Sequence, residues 1–375
     1  MSGRALLLSA YAARSHHYWA RSLQQMLPEW QWRVLELPPR HFSWRVRGNP
    51  LYWALEQREQ LVAGHDLLVA TSMVDLATLR GLVPGLAALP TLLYFHENQF
   101  AYPASPRQHS LLEAQVVSLY SALAADQLAF NSAWNRDSFL QGCAALLRKL
   151  PDFVPDGVVD TLARRSRVLP VPIAAPVEGE RSWWPGVRRR RSGESPLRLL
   201  WLGRLEYDKG LEGLLAVMDA LAADGPALEL AVVGQEFREV PAALDALKAR
   251  HSQVLVHCGN LPRREDYLGL LRGADVVLST ALHEFQGLAL QEAVARGCQP
   301  VVPARLVYPQ LYPKDCCYPV YPDDPRREAE AAAGRIRQLA GQLPVAALDM
   351  SGVFPGALAP RYREAIRDCA LVARA

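Results

Sequence analysis

Apolar runs of a few residues alternate with longer amphipathic stretches along this chain, and the alternation occurs in two series. The first holds the runs "RALLLSA", "WRVLEL", "DLLVATS", "TLLYFHE", "QLAFNS" and "SRVLPVPI", with helical stretches such as "LLEAQVVSLYSALAA" between them. Short, uniformly apolar runs read as strands buried on both faces. The amphipathic stretches read as the helices that cover them, which is the pattern of a parallel α/β sheet. A breaker-rich stretch, "AAPVEGERSWWPGVRRRRSGESP" (174–196), interrupts the pattern and reads as a linker. The second series follows with "LRLLWLG", "LELAVVG", "QVLVHCG", "DVVLST" and "QPVVPA", each but the last leading into a helical pattern. The prediction is two Rossmann-like halves, 1–175 and 176–357, facing each other across a cleft, with a helix over about 358–375 able to pack back on the first. The opening "RALLLSAYAA" also has the positive residue, apolar run and small residues of a secretory signal. It is read as the first buried strand, because a strand-to-helix loop follows it.

Composition narrows the class. With 375 residues, 50% hydrophobic and 21% charged, the chain can bury two ordinary cores and is too balanced to be disordered. The net charge of +3 hides a surplus of arginine over lysine. Arginine is the better residue for bidentate recognition of phosphate, so a polyanionic partner is allowed without being required. The six cysteines include no C-x-x-C pair and no zinc-site spacing, which fits reduced thiols in a cytosol. No apolar run reaches the ~18 residues of a membrane span, so none is expected.

In open α/β sheets ligands bind at the carboxyl ends of strands, so polar residues just after strands are the candidates. After "LRLLWLG" comes "RLEYDKG", which places Gly203, Arg204 and Lys209 on a loop opening the helical stretch "GLEGLLAVMDALAA". Two cations beside a helix N-terminus suit a diphosphate. A solvated loop with salt bridges to Glu206 or Asp208 is the other reading. After "DVVLST" comes "HEFQGLALQEAVARG" (283–297). Gly287 suits a tight helix entry and Gly297 a helix C-cap. On one continuous helix Glu292 lies two turns beyond Glu284 and about 80° around the axis, so both carboxylates can face one cleft. Surface glutamates on a capped helix are the alternative.

These residues resemble a known family. "WLGRLEYDKG" and "HEFQGLALQEAVARGCQPVV" look like the donor-binding half of retaining GT-B glycosyltransferases, which use nucleotide-activated sugars without a metal. "LPPRHFSWRVRGNPLYWA", "YFHENQFAYP", "LAFNSAWNRDSFL" and "LVYPQLYPKD" narrow the resemblance to the tRNA-queuosine α-mannosyltransferase family, over nearly the whole chain. The resemblance implies an α/β fold of GT-B type, transfer of mannose from GDP-mannose to queuosine in tRNA, and a cytoplasmic, membrane-free setting. It implies no metal or other cofactor, and no D-x-D motif is present. It gives the catalytic set as His96, Arg204, Lys209 and Glu284. Glu292 would accept from the ribose hydroxyls and Glu284 from a hydroxyl of the donor sugar, so that ligand pairs both carboxylates. The N–H groups around Gly287 and Leu288 would point at the diphosphate, with Arg204 and Lys209 on its other side and Gly203, Gly234 and Phe285 completing the donor site. His96 would sit near the anomeric region, although a histidine at a strand end is commonly structural. Ser15, His16 and His17, with Glu97, Asn98, Gln99 and Asn131, would shape the acceptor side. Ala12 and Ala13 stand where the family pattern has two glycines. Retention is expected through same-face displacement, in which the departing phosphate helps to deprotonate the acceptor, so no covalent nucleophile is assigned.

For the acceptor, "RHFSWRVRGNPLYW" interleaves Arg40, Arg45 and Arg47 with Phe42, Trp44, Tyr52 and Trp53. That mix can bind phosphates and stack on unpaired bases, or form an amphipathic arm packed on the core. Arg188 to Arg191 could add phosphate contacts, though a charge run is usually solvated. A nucleotide-sugar epimerase or hydrolase and a catalytically silent RNA-binding protein are the competing classes. The former would release an epimer or free sugar without acceptor, and the latter would bind tRNA but not nucleotide sugar.

Overall fold

Each apolar run of the first series becomes a strand in the computed structural model, which describes residues 2–102, 111–179, 182–184, 195–235 and 241–372. Arg188 to Arg191 lie outside the described residues. The strands are β1 (Gly3–Ser9), β2 (Trp30–Glu36), β3 (Leu67–Thr71), β4 (Thr91–Phe95), β5 (Gln127–Phe130) and β6 (Ser166–Val168). They pair in parallel in the order β2-β1-β3-β4-β5-β6. The "RALLLSA" run is thus an interior strand between β2 and β3.

Strands β3, β4 and β5 are buried at every position, because helices cover both faces and alternation would expose polar side chains to apolar neighbours. On one face Phe95 and Phe130 stack at 4.5 Å, with Phe139 of helix Ala133–Leu147 4.7 Å from Phe95. On the other, Tyr94 stacks on Trp19 at 4.2 Å. Trp19 donates Nε1–H to the hydroxyl of Tyr362, 3.0 Å away on helix Pro355–Val372. That C-terminal helix therefore belongs to the first unit, Met1–Pro172 with Val353–Ala375; the second is Ile173–Gly352.

The second unit holds β7 (Leu197–Leu202), β8 (Leu228–Val233), β9 (Leu255–Gly259), β10 (Val276–Leu278), β11 (Gln299–Pro303) and β12 (Cys317–Tyr318). All pair in parallel in the order β12-β11-β10-β7-β8-β9. The strand order reverses between β7 and β10, the place where open α/β sheets bind ligands. Strand β12, two residues at the sheet edge, was not anticipated. Part of the stretch read as linker is structured: Trp184 is buried and donates Nε1–H to Leu270 O at 2.7 Å. Gly273 makes room for it, since a Cβ there would lie 2.1 Å from the indole. Among the described residues no helix is long and apolar enough to cross a membrane. All six cysteines are free thiols.

Candidate active site

Because β7 and β10 are neighbours, the loops that follow them lie side by side. The amides of Leu282 and His283 donate to Asp208 O at 2.9 and 3.1 Å, and Thr280 Oγ1 donates to Gly210 O at 2.7 Å. Gly210 is required twice over: its φ is 73°, and a Cβ would stand 2.0 Å from Thr280 O. The loop after β8 joins them, where a Cβ on Gly234 would fall 1.9 Å from Gly203 O.

This zipping brings Lys209 to Glu284, 75 residues away, at 3.1 Å. Lys209 Nζ also donates to His283 O at 2.9 Å and lies 3.5 Å from Asp208. Arg204 is half exposed and pairs with Glu206 at 2.7 Å and Asp208 at 3.0 Å, the salt bridges of the second reading of that loop. The amides of Phe285 and Gln286 donate to Glu284 Oε1 at 3.0 and 3.3 Å. Burial raises the Glu284 pKa, but the Lys209 charge, its hydrogen bond and the backbone N–H groups of Gly287 and Gln286 outweigh it, leaving the carboxyl at about 2. His283, buried against Phe285, is pushed down to about 4 by burial and then by the Lys209 cation, so it is neutral at pH 7.

The Glu284 shift carries a pH signature. A carboxyl depressed from 4.5 to about 2 stabilises the fold fully above about pH 5, and that contribution is lost as pH falls through 2. The gap in unfolding midpoint between wild type and Glu284→Gln is therefore open at pH 7 and closes steadily below about pH 4.5. A gap independent of pH would remove the ionised pair from the account.

One expectation is corrected here. Glu284 does not ride on a helix with Glu292: Gly287, with φ 74°, is a left-handed N-cap, and the helix is Leu288–Ala295. The 80° relation therefore does not apply. At the other end Gly297 has φ 98°, and the amides of Gly297 and Cys298 close the helix on Val294 O and Ala293 O.

A second correction concerns what pairs the carboxylates, since each has partners within the chain. Glu292 is buried and accepts from both Arg264 terminal nitrogens, Nη2 to Oε1 and Nη1 to Oε2 at 3.4 Å, and from Tyr267 Oη at 3.0 Å. Neither partner was identified from sequence. Arg264 also lies over the Tyr267 ring, 5.0 Å from its centroid. Arg296, one turn on, donates to Glu292 O at 3.1 Å.

In the first unit His96, just past β4, is buried and stacks on His16 at 4.0 Å with the rings 15° apart. Burial lowers both imidazoles, His16 to about 4 and His96 well below its ordinary value, so the pair is neutral. His16 Nδ1 and His96 Nε2 are buried without a hydrogen-bond partner among the described residues. His17 lies 2.8 Å from Glu36, and Ser15 is half-buried beside it. The asparagines are used to build the loop. Asn98 donates to Asn135 and Ser138 and accepts from the amides of Phe100 and Ala101, while Asn131 donates to His96 O and accepts from Asn135. Glu97 accepts from Tyr102 at 2.8 Å, and buried Gln99 presents its carbonyl to Gln115. Ala13 has φ −63°, and Ala12 is not among the positive-φ residues, so neither backbone needs glycine here.

The basic-aromatic segment forms helix Phe42–Glu56. Trp53 is 1% exposed and belongs to the core, and Phe42 packs edge-on against Tyr11, so neither is presented for stacking. Arg47 pairs with Asp75 and Glu113. Trp44 remains 60% exposed and Tyr52 45%, with Arg40 exposed and Arg45 half-buried.

The family description "tRNA-queuosine alpha-mannosyltransferase N-terminal" matches residues 4–173, and "Glycosyl transferases group 1" matches 188–311. A tRNA-queuosine alpha-mannosyltransferase of Drosophila melanogaster is 32% identical over 317 residues, 84% of this chain and 82% of its own. The fold is similar to that of sucrose-phosphate synthase from Thermosynechococcus elongatus, with TM-score 0.65 and 15% identity over 100% of both chains. It is also similar to a UDP-forming trehalose-phosphate synthase from Burkholderia xenovorans, with TM-score 0.64 and 13% identity over 99% of this chain and 100% of that one. The fold is thus GT-B, and by its match to the Drosophila protein and to both family descriptions the chain belongs to the tRNA-queuosine alpha-mannosyltransferase family of glycosyltransferases.

Proposed function

We propose that this glycosyltransferase moves mannose from GDP-mannose to queuosine in tRNA, in the cytoplasm and with retention at the sugar. The observation that carries the chemistry is the Lys209–Glu284 pair, held between two loops at the switch point of the second sheet and beside the N-termini of helices Leu211–Asp224 and Leu288–Ala295. A nucleoside diphosphate leaving group gains charge as the glycosidic bond breaks. Fixed cations and helix N–H groups stabilise that charge without reorganising. In this reading Lys209 and Arg204 meet the diphosphate, Glu284 accepts from a sugar hydroxyl, and Glu292 accepts from the ribose. Glu284, ionised to about pH 2, is an acceptor throughout the working range. His96 and His16 each keep one buried ring nitrogen for a ligand hydroxyl. Trp44 and Tyr52, with Arg40 and Arg45, offer stacking and phosphate contacts to an RNA loop.

The test measures GDP release from a panel of sugar nucleotides with tRNA that carries queuosine or guanosine. Release is expected only from GDP-mannose and only with queuosine-containing tRNA. Equal release without tRNA would mark a hydrolase. Tight tRNA binding with no release from any donor would mark a silent RNA-binding protein.

A further inference from the structure

Glu292 is held in a way that the assignment of its role does not require. Its carboxylate is reached from a different helix, Arg264–Gly273, by two side chains that share it: Arg264 on both oxygens and Tyr267 on Oε2. The two holders are themselves stacked, the guanidinium over the phenol ring at 5.0 Å. Tyr267 is held as a neutral donor, because burial and then the neighbouring Glu292 charge raise its pKa well above the ordinary value. The Arg264 side chain is 52% exposed while the Glu292 side chain is 10% exposed. The clamp thus has one solvent-facing member and one half-buried one, closing on a buried acceptor.

A carboxylate has about four lone-pair directions, and three donors leave one open. A carboxylate on a single free rotor would present that direction in many orientations; here both its plane and its occupied edges are fixed. We propose that Arg264 and Tyr267 are positioning residues that orient the Glu292 carboxylate so that its open lone pair meets the nucleotide ribose. The proposal rests on the reading of Glu292 as the ribose acceptor. It adds that the acceptor is made selective by a clamp from the neighbouring helix, built from a residue pair that touches no substrate.

The test is calorimetric binding of GDP, 2′-deoxy-GDP and 3′-deoxy-GDP to wild type, Arg264→Ala, Arg264→Lys and Tyr267→Phe. Wild type is expected to lose about 10-fold or more in affinity when the accepted hydroxyl is removed. In Arg264→Ala GDP binding weakens by about 5–10-fold, and the loss on removing the hydroxyl shrinks to less than about 3-fold, because the carboxylate no longer favours that geometry. Arg264→Lys, with one point charge in place of a fork, recovers part of the discrimination. Tyr267→Phe, which keeps the ring, loses part of it with the fold unchanged. The proposal is overturned if Arg264→Ala and Tyr267→Phe weaken GDP and its deoxy analogues by the same factor, or leave all three unchanged. Absence of ribose discrimination in wild type would instead overturn the role of Glu292, and the clamp with it.

Discussion

Lys209→Ala lowers kcat by about 10²–10³, the usual cost of removing one preorganised donor from a site where charge develops, while KM changes much less. Lys209 is nearly buried and fixed on His283 O and Glu284, so its charge is in place before the reaction starts and costs nothing to orient. Arg204→Ala moves the rate in the same direction but by less, because Arg204 is half exposed and already pairs with Glu206 and Asp208. Steady-state kinetics with saturating tRNA separates the two parameters. A Lys209 variant changed only in KM would take away its part in stabilising the leaving group.

Glu292→Ala weakens GDP binding by about 10–150-fold, the equivalent of about 1.5–3 kcal/mol for a hydrogen bond to a charged acceptor. The effect appears without any acceptor RNA, which makes calorimetry with GDP alone sufficient. Removing this carboxylate also leaves Arg264 and Tyr267 without their shared acceptor, so the variant's thermal midpoint is measured alongside. Wild-type affinity in a folded Glu292→Ala protein would withdraw the ribose assignment.

Much of the fold was legible because burial on both faces writes itself as uniform apolar runs, from "LLVAT" of β3 to "LRLLWL" of β7. Strand β12 escaped because two residues at an edge carry no periodicity. That the loops after β7 and β10 carry candidate residues followed from the rule that ligands bind at the carboxyl ends of strands; the strand order that makes these loops neighbours, and the Lys209–Glu284 contact between them, come from the structure. The phase of Glu284 was misread although the signal was present: Gly287 in the left-handed region starts the helix after the glutamate. The Arg264–Glu292 pair was not legible, since two residues 28 apart on different helices are brought together only by packing. The segment at 40–53 could have been sorted further. Trp44 and Trp53 are nine residues apart, about 180° on a helix, so one of them had to face the core. Pro50 inside that helix hid the pattern.

The central claim is that queuosine in tRNA is the acceptor, and nucleoside mass spectrometry tests it most directly. Queuosine-containing tRNA is treated with the protein and GDP-mannose, digested to nucleosides, and compared with the same tRNA carrying guanosine. The account predicts that queuosine is replaced by a species heavier by one hexose residue, that guanosine is untouched, and that the initial rate of product formation falls by about 10²–10³ in Lys209→Ala. If both tRNAs stay unmodified across several sugar nucleotides while a lipid or protein acceptor gains the sugar, the chain remains a GT-B glycosyltransferase and the assignment of its acceptor is wrong.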